Sequence, residues 1–114
     1  MILVVAEQKN GKLNRATLET LVATKQLSGD MPVKVLVLGG SVGDVPSEFM
    51  ASQVQEVLIV EDKLLDPYTS EAFVAVLQEV IATEKPSIVA LSHTYQTRDF
   101  APMLAARIRS PLIT

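Results

Sequence analysis

Four short apolar runs rich in β-branched residues punctuate the chain: Ile2 to Ala6, Val33 to Leu38, Val57 to Val60 and Ser87 to Leu91. Each has the length and composition of a β-strand. Apolar residues follow one another in these runs with little polar alternation, the mark of strands covered on both faces, as in a parallel sheet. The runs begin at positions 2, 33, 57 and 87, at spacings of 31, 24 and 30 residues. Each interval accommodates a crossover helix. The pattern predicts an α/β domain with a doubly wound parallel sheet.

The intervals carry helix signals of their own. In the third, Tyr68 and Phe73 bracket Thr69 as a hydrophobic staple around an N-cap. Phe73, Val76, Leu77, Val80 and Ile81 then recur as one stripe, and Pro86 stops the helix. In the first, Leu13 and Leu18 flank the N-cap Asn14. Leu18, Leu21 and Val22 form the predicted inner face there, with Lys25 on that face, Leu27 off it, and Ser28, Gly29 and Asp30 ending the helix. Between the second and third strands, Ser47 caps a short helix predicted to run through Val54. In the fourth interval Asp99 is the predicted N-cap, which puts Pro102 at N3, where a missing N–H costs nothing. Leu104, Ala105 and Ile108 then face inward, and Arg107 and Arg109 complement the dipole of the last turn. Pro111 to Thr114 reads as the opening of a fifth strand, cut short.

Composition narrows the function. At 114 residues the chain fits one domain, and 48 % apolar against 20 % charged residues is the balance of a folded one. The formal net charge of −3 has the wrong sign for a nucleic-acid footprint. Without cysteine there is no disulfide, thiolate metal site, iron–sulfur cluster or cysteine nucleophile, and a reducing compartment is allowed. The longest apolar runs, Met1 to Ala6 and Ala72 to Leu77, are far below the ~18 residues of a membrane span. The first run follows no basic segment and ends at Glu7, so it does not read as a signal peptide. Two Tyr, three Phe and no Trp leave little for stacking on flat ligands.

In a doubly wound sheet, ligands sit beyond the carboxyl ends of the strands near the point where strand order reverses. Those ends are Ala6 to Lys9, Gly39 to Asp44, Glu61 to Lys63 and Ser92 to Arg98. Gly39, Gly40 and Gly43 match no phosphate-binding glycine motif and read as a tight turn needing glycine freedom. His93 stands between Ser92 and Thr94, but neighbours on an extended segment point apart and no nucleophile elbow surrounds the serine. Glu61, Asp62 and Asp66 lack metal-ligand spacing and read as a solvated turn. Arg98 and Asp99, at the predicted head of the fourth helix, are candidate interface or structural residues, set against a plain cap with a surface ion pair. No residue is assigned as catalytic, cofactor-binding or metal-binding.

Several segments taken together resemble the α subunit of electron transfer flavoproteins. They are Ile2-Leu3-Val4-Val5-Ala6-Glu7, Gly11-Lys12-Leu13-Asn14, Thr17-Leu18-Glu19, Val35-Leu36-Val37-Leu38-Gly39-Gly40 and Asp66-Pro67-Tyr68-Thr69, then Lys85-Pro86-Ser87-Ile88-Val89, Thr94, Arg98-Asp99-Phe100-Ala101-Pro102 and Leu104-Ala105-Ala106-Arg107. The resemblance covers nearly the whole chain. Thr97 and Met103 depart from it, standing where the family often has glycine and arginine. The stretch from Gly43 to Glu56 is shorter and more polar than usual.

The resemblance implies an adenine-nucleotide-hydrolase-like (Rossmann-like) three-layer sandwich truncated at the start of its fifth strand. It also implies a scaffold role within an electron carrier rather than an enzyme. In that family an αβ heterodimer carries electrons on FAD from acyl-CoA and related dehydrogenases, as in fatty acid β-oxidation, to a quinone oxidoreductase of the respiratory chain. FAD is held mainly by a C-terminal α domain that this chain does not reach, and AMP by the β subunit. The resemblance places the chain in the bacterial cytoplasm or, in a eukaryote, the mitochondrial matrix. It also makes Arg98 and Asp99 a family motif. The alternative is an adenine-nucleotide-binding regulator of universal-stress-protein type. Its glycine-rich loop after the fourth strand has no counterpart, since Gly43 is the last glycine. A small α/β hydrolase fails for want of the elbow.

Overall fold

A computed structural model describes residues 1–108 and the backbone of Leu112–Ile113. The parallel sheet is built from β1 (Ile2–Ala6), β4 (Val33–Gly39), β5 (Glu56–Glu61), β6 (Ile88–Leu91) and β7 (Leu112–Ile113), in the order β5-β4-β1-β6-β7. The chain therefore steps outward from β1 to β5, then crosses back over the sheet to β6. The order reverses between β1 and β6, as a doubly wound fold requires. All four predicted strands form, within a residue of their expected bounds at each end. The fifth begins within Pro111 to Thr114, although Pro111, Thr114 and the expected Arg109 lie outside the described residues.

Two apolar layers cover the sheet. Beneath α2 (Ser70–Glu84) and α3 (Tyr95–Ile108) lie Leu3, Val5, Leu36, Leu38, Val89 and Leu91, capped by Phe73, Leu77, Phe100 and Leu104. On the other face Ile2, Val4, Val35 and Val37 are covered by α1 (Arg15–Ser28) and a 3-10 turn at Val45–Phe49. The α2 staple forms as its sequence dictates. Thr69 accepts from the Ala72 N–H, and the Tyr68 and Phe73 rings meet edge to face at 4.8 Å. At the opposite end of the sheet, Lys34 bridges Glu56 and Glu84 at 2.9 and 2.8 Å, joining β4, β5 and the end of α2. Hydrogen bonds to these two carboxylates hold its ammonium above the usual lysine range.

Three helix expectations need correction. Asn14 does cap α1, but its inner face is Thr17, Leu21 and Thr24, while Leu18 and Val22 are 41 % and 57 % exposed. The next crossover bears on this. Ser47 was expected to cap a short helix through Val54, but with Asp44 at its head and Pro46 near its start the segment forms only the 3-10 turn, and among the described residues no second helix covers the flank carrying Leu18 and Val22. In the fourth crossover Asp99 is not the cap. The helix starts a turn earlier, Thr94 Oγ1 accepts from the Thr97 N–H, and the inner face is Thr97, Phe100 and Leu104. Pro102 is thus inside the helix, on its exposed side, and offers no bond to the Arg98 carbonyl four residues back.

A further element went unforeseen. Gln8–Lys9 and Lys12–Leu13 (β2 and β3) form a two-residue hairpin around Asn10 and Gly11, both with positive φ, as a type I′ turn demands.

Candidate functional site

The crevice at the strand-order reversal opens between the end of β1 and the loop after β6, where doubly wound folds take their ligands. Here Glu7 fills it. One carboxylate oxygen accepts from Thr94 Oγ1 at 2.6 Å and the other from Asn14 Nδ2 at 2.8 Å. Thr94 is the cap of α3 and Asn14 the cap of α1, so a single negative charge bridges the N-termini of two helices. The Glu7 backbone is tied into the same cluster, its N–H donating to Thr17 Oγ1 at 2.9 Å and its carbonyl accepting from the Asn14 N–H at 2.8 Å. Ser92 and Thr20 close the side of the crevice with a 3.0 Å hydroxyl contact.

Next to this plug the rim holds a polar cleft of about 440 Å³, lined by Gln8, Gly39, Gly40, Asp66, Tyr68 and Gln96 among others. The glycine pair follows from crowding. A Cβ on Gly39 would overlap the Gln8 amide, and one on Gly40 would overlap the Asp66 side chain. Neither glycine has positive φ, so the expected need for glycine freedom gives way here to close approach. Gln8 is buried because its amide is used at both ends, Nε2 donating to the Leu38 carbonyl and Oε1 accepting from the Gly11 N–H. Gly43 does need its positive φ and packs against Gly11, its Cβ direction meeting the Gly11 Cα at 3.2 Å.

Ser92, His93 and Thr94 diverge: Ser92 turns to Thr20, Thr94 to Glu7, and exposed His93 accepts at Nε2 from the Arg98 guanidinium at 2.7 Å. Glu61 accepts from the Val42 N–H, and Asp62 caps the short 3-10 turn Lys63–Leu65. Among the described residues no group of three or more His, Asp or Glu is placed to hold a metal ion. Arg98 and Asp99 sit in the second turn of α3 and point to different partners. Arg98 lies over the Tyr95 ring at 5.8 Å, and Asp99 accepts from the Tyr68 hydroxyl at 2.7 Å. Asp99 therefore ties α3 to the head of α2. Partial burial, reinforced by this carboxylate, pushes the Tyr68 phenol well above its ordinary range.

The crevice lies within the expected strand ends Ala6 to Lys9 and Ser92 to Arg98 and uses the expected cap Asn14, but Glu7 and Thr94 were given no role from the sequence. Their signal was faint: a carboxylate directly after a strand, and a threonine three residues before another threonine at a helix head. Among the described residues no glycine-rich phosphate-binding motif follows β1; the Glu7 carboxylate stands at the end of that strand instead. Among the described residues no helix is long and apolar enough to cross a membrane.

Fold and rim together define a doubly wound domain of nucleotide-binding type whose crevice is closed by its own side chains. The chain belongs to the electron transfer flavoprotein domain family, whose model matches residues 2–114. It is 33 % identical over 113 residues to the electron transfer flavoprotein subunit alpha of Bacillus subtilis, an alignment covering 99 % of this chain and 35 % of that protein. With the subunit alpha of Syntrophomonas wolfei it shares 32 % over 111 residues, covering 97 % and 34 %. The acryloyl-CoA reductase electron transfer subunit beta of Anaerotignum propionicum is 29 % identical over 113 residues, covering 97 % and 31 %. The chain spans about a third of the length of these relatives.

Proposed function

We propose that this chain is the N-terminal scaffold domain of an electron transfer flavoprotein α subunit. The domain acts as a rigid support for a two-subunit carrier and takes no nucleotide of its own. Electrons pass through the parent heterodimer on FAD held in a further domain of the α subunit, with AMP in the β subunit. They arrive from acyl-CoA and related dehydrogenases and leave toward a quinone oxidoreductase of the respiratory chain. Arg98 and Asp99 serve the scaffold, Asp99 by fixing α3 to α2 and Arg98 by ordering the loop at His93.

The observation that carries this reading is the Glu7 bridge. A nucleotide phosphate at the strand-order reversal needs free helix N-termini and a positive or neutral cradle. Here the helix N-termini are capped by Asn14 and Thr94, and both capping side chains donate to the Glu7 carboxylate. Isothermal titration of the 114-residue chain with FAD and with ATP tests it, with no saturable heat expected from either. Micromolar ATP binding would transfer the chain to the stress-protein class of nucleotide-binding regulators.

A further inference from the structure

The outer strand β5 combines three properties that converge on one kind of partner. It ends the sheet order, and every second residue of a parallel edge strand points its N–H and C=O away from the sheet. Its middle, Val57 to Val60, is apolar, and Ile59 is 54 % exposed. Beside it runs a groove of about 420 Å³ walled by Leu58 and Val60 of the strand and Val76 and Val80 of α2. The stripe of α2 reaches past the last strand here, which is why these two valines are only half-buried.

The rim of this groove is acidic. Glu56 and Glu61 bracket the strand, Asp62 follows it, and Glu79 and Glu84 line the groove from α2. Lys34 engages Glu56 and Glu84. Glu61, Asp62 and Glu79 make no ion pair among the described residues.

We infer that β5 is a docking edge for an extended segment of another protein in which a short alternating apolar run is flanked by lysine or arginine. Strand addition draws affinity from main-chain hydrogen bonds and choice from side-chain pockets. Alternate side chains of the incoming strand lie beside Leu58 and Val60 and cover Val76 and Val80, while its flanking cations meet the carboxylates at each end. A second copy of the chain is the wrong occupant. Two β5 strands paired antiparallel about exposed Ile59 put Glu56 of each copy against Asp62 of the other, and directly opposed like charges are destabilising. The same carboxylates also discourage indiscriminate edge pairing.

The test is an amide-shift titration of the isotopically labelled 114-residue chain with a capped peptide of alternating valine and threonine carrying a lysine at each end. Shifts confined to residues 56–62 and 76–84 are expected, with affinity falling roughly tenfold between low and high salt as the charges are screened. The Ile59→Lys variant, which sets a like charge beside the peptide on the other face of the strand, should weaken the lysine-ended peptide at an unchanged thermal midpoint. The exposed Glu79→Lys change, which leaves the strand intact, should weaken the lysine-ended peptide and strengthen a glutamate-ended one. The inference is overturned by an absence of shifts at millimolar peptide, by equal binding of the glutamate-ended peptide to the unmodified chain, by shifts centred elsewhere, or by concentration-dependent dimerisation that Ile59→Lys abolishes.

Discussion

The face of the sheet beneath α2 and α3 is closed by two full helices that meet through Phe73 and Phe100, whose ring centroids are 5.9 Å apart. Among the described residues the opposite face has one helix and a five-residue 3-10 turn. On the first face large side chains pack in an unbroken layer: Leu77 and Leu104 are fully buried and Phe100 almost so. On the second, α1 meets the sheet through Thr17, Leu21 and Thr24, and hydroxyl hydrogen bonds replace part of the apolar contact. The comparison teaches that an amphipathic stripe is buried only as far as neighbouring elements reach. Leu18 and Val22 have the spacing of core residues and the exposure of surface ones because the crossover beside them is short.

The largest expected effect separates the two faces directly. Truncating a buried phenylalanine costs roughly 3–5 kcal/mol, and the value depends on how far the surroundings collapse into the cavity. Phe100 is held between two regular helices and cannot be approached without moving them, so Phe100→Ala belongs near the top of that range. Phe49 is equally buried but sits in the short 3-10 turn, which can settle inward, so Phe49→Ala belongs near the bottom. Urea unfolding of both variants decides the matter. A larger loss at Phe49 would mean that the irregular crossover is the more rigid element, and the contrast between the faces would fail.

A smaller effect is expected where the two faces meet at the carboxyl rim. Gly40→Ala forces a Cβ against the Asp66 side chain, and relieving such overlap by backbone movement costs about 1–3 kcal/mol. Removing that side chain in the same molecule, with Asp66→Gly, should recover part of the loss. Additive losses in the double variant would show that the two residues do not share the space.

Much of the fold was legible because its strands are continuous apolar runs that announce burial on both faces, and because Thr69, Tyr68 and Phe73 form a complete local helix-start signal. The start of α3 was misplaced because Tyr95 and Gln96 look like loop and Asp99 looks like a cap, whereas the hydroxyl of Thr94 takes the capping role. The Asn10-Gly11 hairpin was missed because its strands are two residues each, too short for any alternation to register. Crevice residues were the least legible of all. Glu7 acquires its role only from Asn14 and Thr94, seven and eighty-seven residues away, and such long-range pairing leaves no local pattern.

The Tyr68–Asp99 contact joins α2 to α3 on the well-packed face and gives a pH-dependent handle on it. Burial first, and the Asp99 carboxylate second, raise the phenol above the value of about 10 it has in an unfolded chain. As pH passes that value the unfolded state loses its proton while the folded state keeps it, so stability declines as pH rises further; below it the contribution is fully present. Tyr68→Phe should cost about 0.5–1.5 kcal/mol at neutral pH, the worth of one hydrogen bond, and flatten the alkaline decline. An unchanged alkaline slope in guanidinium melts would detach the tyrosine from this face.

The smallest effect lies on the other face and is the sharpest check on why it differs. If Leu18 and Val22 are exposed because the neighbouring crossover is short, replacing either with a polar residue of similar shape changes only solvated surface. Leu18→Gln and Val22→Thr should then shift stability by no more than about 0.5 kcal/mol in the 114-residue chain. The same substitutions at positions with the same spacing but a helical neighbour, such as Leu77→Gln on α2, leave a buried amide without a partner and cost several times as much. A loss of about 2 kcal/mol or more at Leu18 or Val22 would place them against packed structure in solution. The shortness of the β4-to-β5 crossover would then no longer explain the difference between the two faces.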